Sequence, residues 1–256
     1  MRDFEMCGPC RTEYEDPGNR RFHAEATCCR DCGPQLSLRN AAGAAESSLD
    51  IVGRTRHLLA GGAIVAIKGI GGYHLVCEAF NADAVSRLRQ RKYREDKPFA
   101  LMAASVDVIK QTCEVSVAEA KVLESRERPI VLLAKQENAE IPADIAPGLA
   151  TLGFMLPYSP LHHLLLAGLD RPLVMTSGNI SDEPIAYQDG DAGERLSRIA
   201  DYYLQHDRRI HIRMDDSIVR VARNVSLGQG SRVTGLWAYR RTGGYDQKTS
   251  GKSGPL

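Results

Sequence analysis

No stretch of this 256-residue chain approaches the roughly 18 uninterrupted apolar residues that a helix needs to cross a bilayer, which excludes a helical membrane protein. The opening Met1-Arg2-Asp3-Phe4-Glu5-Met6 also lacks the basic start and apolar core of a secretory signal, so a cytoplasmic location is expected. An excess of one charge is missing too. Lys and Arg number 33 against 32 Asp and Glu, a net charge of +1, so the chain as a whole is not built to coat nucleic acid or an anionic membrane. Any basic site must be local. Aromatic residues make up only 6%, few enough to leave little material for stacking bases. Internal repeats and heptad arrays are absent. What remains, 43% apolar and 25% charged with 23 Gly and 12 Pro, is ordinary globular composition, enough for one large domain and a small appendage.

Cysteine is scarce over most of the chain and crowded at its start. Cys77 and Cys113 are alone in the last 224 residues, whereas Cys7, Cys10, Cys28, Cys29 and Cys32 share the first 32. A secreted disulfide domain would be smaller and would spread its cysteines more evenly. Cys7-Gly-Pro-Cys10 and Cys29-Arg-Asp-Cys32-Gly33, eighteen residues apart, have the C-x2-C-x18-C-x2-C spacing of a zinc site. Each knuckle presents two thiolates from a tight turn, and two knuckles complete a tetrahedral four-sulfur shell with bonds of about 2.3 Å. A full shell has no open position, so the zinc is structural; a redox dithiol is the alternative. Cys28 and His23 are substitute ligands that rank below Cys29, because Cys28 breaks the two-residue gap to Cys32. The polar stretch between the knuckles is too short for a core, so metal must supply most of the module's stability. The module is expected over residues 1–40, followed by a small, polar linker over 41–47.

From Ser48 onward the pattern alternates between helical and strand-like segments, the mark of an α/β domain, expected over 48–225. A helix capped by Ser48 or Asp50 runs to about Ala60 and stops at Gly61-Gly62. A wholly apolar strand over 63–67 suits burial on both faces. A helix with Asn81 as its cap follows, with Ala84, Val85 and Leu88 inward. Further strands are expected over 99–103, 130–133, 152–156 and 173–176, and helices over 106–113, 117–124, 159–167 and 192–204.

Three segments at strand ends carry the chemistry. Lys68-Gly69-Ile70-Gly71-Gly72-Tyr73-His74-Leu75 reads either as a loop whose amides approach an anion, with Lys68 adding a charge, or as a plain tight turn. It lacks the ending of a Walker motif. The stretch from Arg87 to Pro98 holds six basic residues and two acidic ones. A solvated helix end favoured by the macrodipole explains two or three cations; an anionic ligand explains six more simply. Thr176-Ser177-Gly178-Asn179-Ile180-Ser181 offers hydroxyl and amide groups suited to phosphate, ribose or carboxylate oxygens, or is an ordinary turn.

Together with Gly153-Phe-Met-Leu-Pro-Tyr-Ser-Pro-Leu-His-His and Arg213-Met-Asp-Asp-Ser-Ile-Val-Arg220, these segments resemble the YrdC-like domain of the HypF carbamoyltransferase family, which serves nickel–iron hydrogenase maturation. The cysteine module resembles the second of the two zinc fingers that precede that domain. The resemblance spans about residues 5 to 232 and rests on five motifs in the family's order. It implies a YrdC-like twisted mixed sheet flanked by helices, preceded by a small four-cysteine zinc finger. It implies that carbamate derived from carbamoyl phosphate reacts with ATP and magnesium to give carbamoyl-adenylate, and that the carbamoyl group passes to a HypE-like acceptor protein. Adenylation accumulates charge on phosphate oxygens, which calls for cations. On this reading Lys68, Lys92 and Arg94 are catalytic and clamp the triphosphate and carbamate, with Lys97 assisting. Ser177 and Asn179 bind phosphate or ribose oxygens, and Tyr73 and His74 line the pocket wall near the carbamate. His74 reads equally as a structural histidine. Asp215-Asp216 holds magnesium or, with slight preference, caps a turn.

The family's acylphosphatase-like and transfer domains are missing from this sequence, so the chain is expected to be a fragment. After Arg232 the family pattern stops. A single lost base would account for the switch, so residues from Val233 are read as out of frame, within a tail over 226–256 expected to be disordered; a natural linker is the alternative. Two other functions stay open: a threonylcarbamoyl-adenylate synthase of tRNA modification, which shares the Lys-x-Arg and Ser-x-Asn elements without a finger, and a zinc-containing RNA-binding module.

Overall fold

The computed structural model describes residues 3–180, 183–221, 225–227, 231–233 and 236–239. A short helix α1 (Gly8–Glu15) lies in the cysteine module. Then follow β1 (Leu36–Asn40), α2 (Ile51–Ala60), β2 (Val65–Lys68), β3 (Tyr73–Glu78), α3 (Ala82–Arg91), β4 (Ala100–Met102), α4 (Val106–Ile109) and α5 (Val117–Leu123). The second half holds β5 (Ile130–Ala134), β6 (Thr151–Met155), α6 (Pro160–Leu166), β7 (Leu173–Ser177), α7 (Asp189–Arg195), β8 (Tyr202–His206), β9 (Ile218–Val221), β10 (Val225–Leu227), β11 (Ser231–Val233) and β12 (Leu236–Tyr239).

Ten strands form one sheet in the order β1-β8-β2-β3-β7-β4-β6-β5-β9-β12. The pairs β2–β8, β4–β6 and β5–β9 are parallel and the remaining pairs antiparallel, so the sheet is mixed. Both faces are covered. On one, Ala66, Leu75, Leu101 and Val174 pack with Ala84, Val85 and Leu88 of α3, Leu123 of α5 and Ala192 of α7. On the other, Val65, Ile67, Val76 and Met175 meet Leu59 of α2 and Leu161 and Leu165 of α6. This double burial is why β2 is apolar at successive positions instead of alternating.

Local chemistry sets the helix starts. The Asp50 carboxylate accepts from the Gly53 amide and Asn81 Oδ1 from the Ala84 amide. Ser116 and Glu119 form a reciprocal capping box on α5, and Ser159 Oγ accepts from the His162 amide at 3.2 Å.

Several expectations change. The helix expected over 192–204 ends at Arg195, and its last residues are β8, where Tyr203 and Leu204 face opposite cores and the strand fills the gap between β1 and β2. Residues 36–40, counted with the cysteine module, are instead an edge strand of the main sheet, paired antiparallel with β8. The 41–47 stretch does not separate two bodies: Glu46 N donates to Leu38 O and Ala41 N to Asp201 O, each at 2.9 Å. The helix expected over 106–113 is a single turn, α4. Most of the expected tail, residues 240–256, lies outside the described residues; within the rest of it, β10 pairs with β11 and β12 pairs with β9.

Candidate functional site

In the cysteine module, Cys7 is the N-cap of α1, Pro9 opens the helix, and Cys10 lies on its first turn, nearly fully buried. Cys29 and Cys32 face them from the second knuckle. The four sulfurs lie within 4.8 Å of one another; Cys7 and Cys29 Sγ are 3.6 Å apart, and Cys29 and Cys32 Sγ 3.8 Å. A tetrahedral shell with zinc–sulfur bonds of about 2.3 Å puts its sulfurs about 3.8 Å apart, so this set fits zinc. Within the cluster, hydrogen bonds from the Cys7 and Cys29 amides lower the Cys32 thiol, whereas burial raises that of Cys10. Neither substitute ligand joins the cluster: Cys28 packs its sulfur on Gly33, and His23 stacks between Phe22 and Tyr14 at 4.0 and 5.2 Å.

The glycine segment is a hairpin turn. Gly69 N donates to Gly72 O at 2.8 Å, and β2 and β3 pair from Lys68 opposite Tyr73 onward. Close approach explains its glycines: a Cβ would meet the His74 ring at Gly69, the Met214 backbone at Gly71 and Ile185 at Gly72. The tight-turn reading accounts for the segment, and Tyr73 and His74 belong to a strand, not a loop.

The hairpin places Lys68 and Tyr73 side by side. The Lys68 ammonium, 2% exposed, lies 2.7 and 2.9 Å from the two Asp189 carboxylate oxygens and donates to His206 O at 2.9 Å. Tyr73 Oη donates to Asp189 Oδ1 at 2.6 Å and accepts from Gln205 Nε2 at 2.7 Å. Burial and the Asp189 carboxylate push the Tyr73 hydroxyl far above its usual range. One residue along, His74 pairs in register with Ser177 at the end of β7. From there the second cluster begins. The wholly buried Lys92 donates to Ser177 O at 2.5 Å, Asn179 O at 2.5 Å and Asn179 Oδ1 at 2.6 Å. Ser177 Oγ donates to Asn179 Oδ1 at 2.7 Å, and Asn179 Nδ2 donates to Glu183 O. Burial first, and the Arg94 charge second, lower the Lys92 ammonium to about 7. Ser181, the last residue of that expected segment, lies outside the described residues.

Arg94 and Lys97 are placed differently. The Arg94 guanidinium folds onto its own loop, donating to Lys97 O at 3.0 Å and Pro98 O at 2.7 Å above the Phe99 ring, while Lys97 is exposed at the rim. His74 Nε2 lies 3.0 Å from Asp216 Oδ2 and 3.5 Å from Tyr158 Oη. Burial raises the Asp216 carboxyl, but the His74 and Tyr158 hydrogen bonds outweigh it and hold the group below its usual value. Asp216 thus pairs with His74, a contact that the sequence reading of Asp215-Asp216 did not anticipate. His162, wholly buried on α6, lies edge-on to Tyr158 at 4.5 Å, and burial lowers it to about 3, so it is neutral at pH 7.

Asp189, Gln205, His206, Tyr158 and His162 were not picked out from the sequence. Tyr158 and His162 stand inside the Gly153–His163 motif, the signal that could have found them; Asp189 carries no local mark, being 121 residues from Lys68.

The family described as telomere recombination, Sua5/YciO/YrdC, matches residues 57–228. The chain belongs to that family. Its cysteine module matches the HypF finger over residues 6–39, so this Sua5/YciO/YrdC chain carries the four-cysteine zinc finger of HypF proteins. It is 51% identical over 221 residues to carbamoyltransferase HypF of Rhodobacter capsulatus, covering 86% of this chain and 29% of that protein. A crystal structure of full-length HypF in the phosphate- and nucleotide-bound form is 46% identical with a TM-score of 0.79, covering 86% of this chain and 29% of that one. Sua5 of P. abyssi complexed with L-threonine, 22% identical with a TM-score of 0.59, covers 66% of this chain and 50% of that one and shares the fold alone. This Sua5/YciO/YrdC chain thus spans 29% of the length of each of these two HypF proteins. Among its described residues no helix is long and apolar enough to cross a membrane.

Proposed function

We propose that this segment performs the adenylating step of HypF-type carbamoyl transfer in the cytoplasm. Carbamate, derived from carbamoyl phosphate, attacks the α-phosphorus of ATP through a carboxylate oxygen. A new oxygen–phosphorus bond forms, the bond to the bridging β-phosphate oxygen breaks, and pyrophosphate leaves with the electron pair. ATP is taken with magnesium as its counter-ion, and the carbamoyl-adenylate feeds a HypE-like acceptor protein. The observation that carries this reading is the gathering of Lys92, Ser177 and Asn179, 85 and 87 residues apart in sequence, one strand register from Lys68 and Tyr73. A buried lysine and hydrogen-bonding groups fixed by the protein are preorganised for developing phosphate charge.

In this mechanism an incoming phosphate oxygen replaces an Asp189 oxygen at Lys68. Asp189 is half exposed at the first residue of α7 and free to turn outward, whereas Lys68 is fixed. Lys92 acts by holding the Ser177–Asn179 turn open to ligand oxygens, Arg94 and Lys97 close the rim, and Tyr73 and His74 stand against the carbamate. The similarity to a nucleotide-bound HypF structure supports a nucleotide in this domain.

Pyrophosphate exchange into ATP tests the proposal, with the zinc-loaded chain, carbamoyl phosphate and a separate acylphosphatase. Exchange that needs carbamoyl phosphate and disappears in Lys68→Ala supports it. ATP consumption stimulated by L-threonine instead would assign the chain to tRNA modification, and salt-sensitive RNA binding without ATP turnover would make it a binding module.

A further inference from the structure

The run of six cations around α3 does not converge on one place. Lys92 and Arg94 serve the site described above, and Arg89 braces its own loop through the carbonyls of Arg94, Glu95 and Asp144. Arg87 and Arg91, four residues apart on one flank of α3, turn the other way. With Arg54 and His57 of α2 they line a depression of about 520 Å³ at the N-terminal end of β2, floored by Leu58 and Tyr202. Ala63 there and Lys68 are five residue steps apart, roughly 16 Å at about 3.3 Å per step of extended chain.

This depression is buttressed. Arg87 Nη2 donates to Gly62 O; Arg91 Nη1 donates to Ile199 O at 2.9 Å and Asp201 Oδ1 at 2.8 Å. Asp201 is itself fixed, its other oxygen accepting from Ile64 N at 2.9 Å. Gly62 has φ +84, and a Cβ there would collide with Asn81, so glycine is what lets this turn close under Arg87. One nitrogen of each arginine is spent on these anchors, with Arg54 Nε on Glu46 at 3.2 Å. Their other guanidinium N–H groups have no partner among the described residues. Three guanidinium groups and an imidazole stand against one lining carboxylate, Asp201, already engaged on both oxygens.

We propose that this depression is a second anion site, taking a multiply charged phosphate compound of nucleotide size or smaller. Anchored guanidinium forks suit phosphate oxygens, which accept two parallel N–H bonds. The volume lies within the range of small-molecule sites, and the Leu58 and Tyr202 faces give a ring something to rest on. The site is distinct from the one around Lys68 and does not depend on the adenylation reading.

The test is a titration of the isotope-labelled, zinc-loaded chain with pyrophosphate at physiological salt, followed by amide and arginine Nε shifts. Saturable movement of Gly61, Gly62, Ala63, Arg87 and Arg91 is expected, persisting in Lys68→Ala. Arg54→Gln combined with Arg87→Gln should weaken it about tenfold or more. His57 is exposed and outside the buttress, so His57→Glu should weaken it by a similar factor without disturbing the fold. AMP in place of pyrophosphate separates the sources: added movement of Leu58 and Tyr202 marks a nucleotide, whereas pyrophosphate alone marks a bare polyphosphate. Shifts confined to residues around Lys68 and Ser177, or growing linearly without saturation, overturn the proposal.

Discussion

Sulfur is held in two opposite ways in this chain. Cys77 and Cys113 are fully buried in the sheet domain, where burial pushes both thiols up to about 12 and leaves them small apolar fillers. Cys7, Cys10, Cys29 and Cys32 gather in a module whose other residues are mostly exposed and which adds no side chain to the main core beyond its metal cluster. The sheet is stable because apolar side chains leave water on both of its faces; the finger is stable because an ion satisfies four thiolates. The two should therefore fail independently. Removing zinc with a chelator is expected to have the largest effect, since structural zinc contributes on the order of 10 kcal/mol or more to folding of such modules. Amide exchange should show protection lost over residues 7–33 and kept at Val65–Lys68. Loss of protection at both places would break the comparison.

The reverse perturbation is smaller. Phe154, wholly buried on β6, contacts the core with no polar role, so Phe154→Ala should cost about 3–5 kcal/mol of sheet stability. Zinc stoichiometry should stay at one ion per chain. A denaturant midpoint unchanged from the parent would mean that the ten-stranded sheet does not unfold as one cooperative unit.

These two halves were also unequally readable in the sequence. The cysteine pairs declare themselves by spacing, because both ligands of a knuckle come from one turn. The caps Asp50, offered beside Ser48, and Asn81 are legible for the same reason: each accepts from an amide three residues away. Residues 202–204 fall within the expected helix but form a strand, because what makes them one is the vacancy between β1 and β2, a fact about partners far away in the chain. The candidate site divides likewise. Lys68, Lys92, Ser177 and Asn179 could be singled out by motif, but Asp189, which neutralises Lys68, could not. The basic run from Arg87 to Pro98 reads in sequence as one anionic site, and only the helix geometry separates its flanks.

Lys92 sharpens the comparison from inside the sheet domain, since it is an ionisable group wholly buried against the carbonyl and amide oxygens of the Ser177–Asn179 turn. Burial and Arg94 lower it to about 7 from an ordinary 10.5, so between these values the unfolded chain holds a proton that the folded one lacks. Stability should therefore rise with pH across that window, by on the order of a few kcal/mol, and be least below pH 7. Lys92→Met should flatten the slope while leaving Ser177 O and Asn179 O without their donor, and the proposed exchange activity should fall through loss of the turn. Parallel stability profiles for the two proteins between pH 6.5 and 10 would show that Lys92 keeps its proton in the fold.

Asp189 gives the smallest effect and the most discriminating one. Its carboxylate either competes with ligand for Lys68 or orients Lys68 for it, and the two roles predict opposite signs. Asp189→Asn keeps an oxygen for the Tyr73 hydroxyl and the Lys68 ammonium but removes the negative charge. Because the Asp189 side chain is half exposed, water can take over part of its role, and stability should change less than in Lys92→Met. If the carboxylate competes, ATP measured by calorimetry should bind a few times more tightly, since phosphate no longer displaces a charged partner. If it orients the lysine, binding should weaken by a similar factor and Lys68→Ala should add little further loss. The geometry favours competition: a lysine already bonded to both oxygens of a carboxylate and to the His206 carbonyl has each of its three N–H groups occupied, and the mobile acceptor among them is the one that can yield.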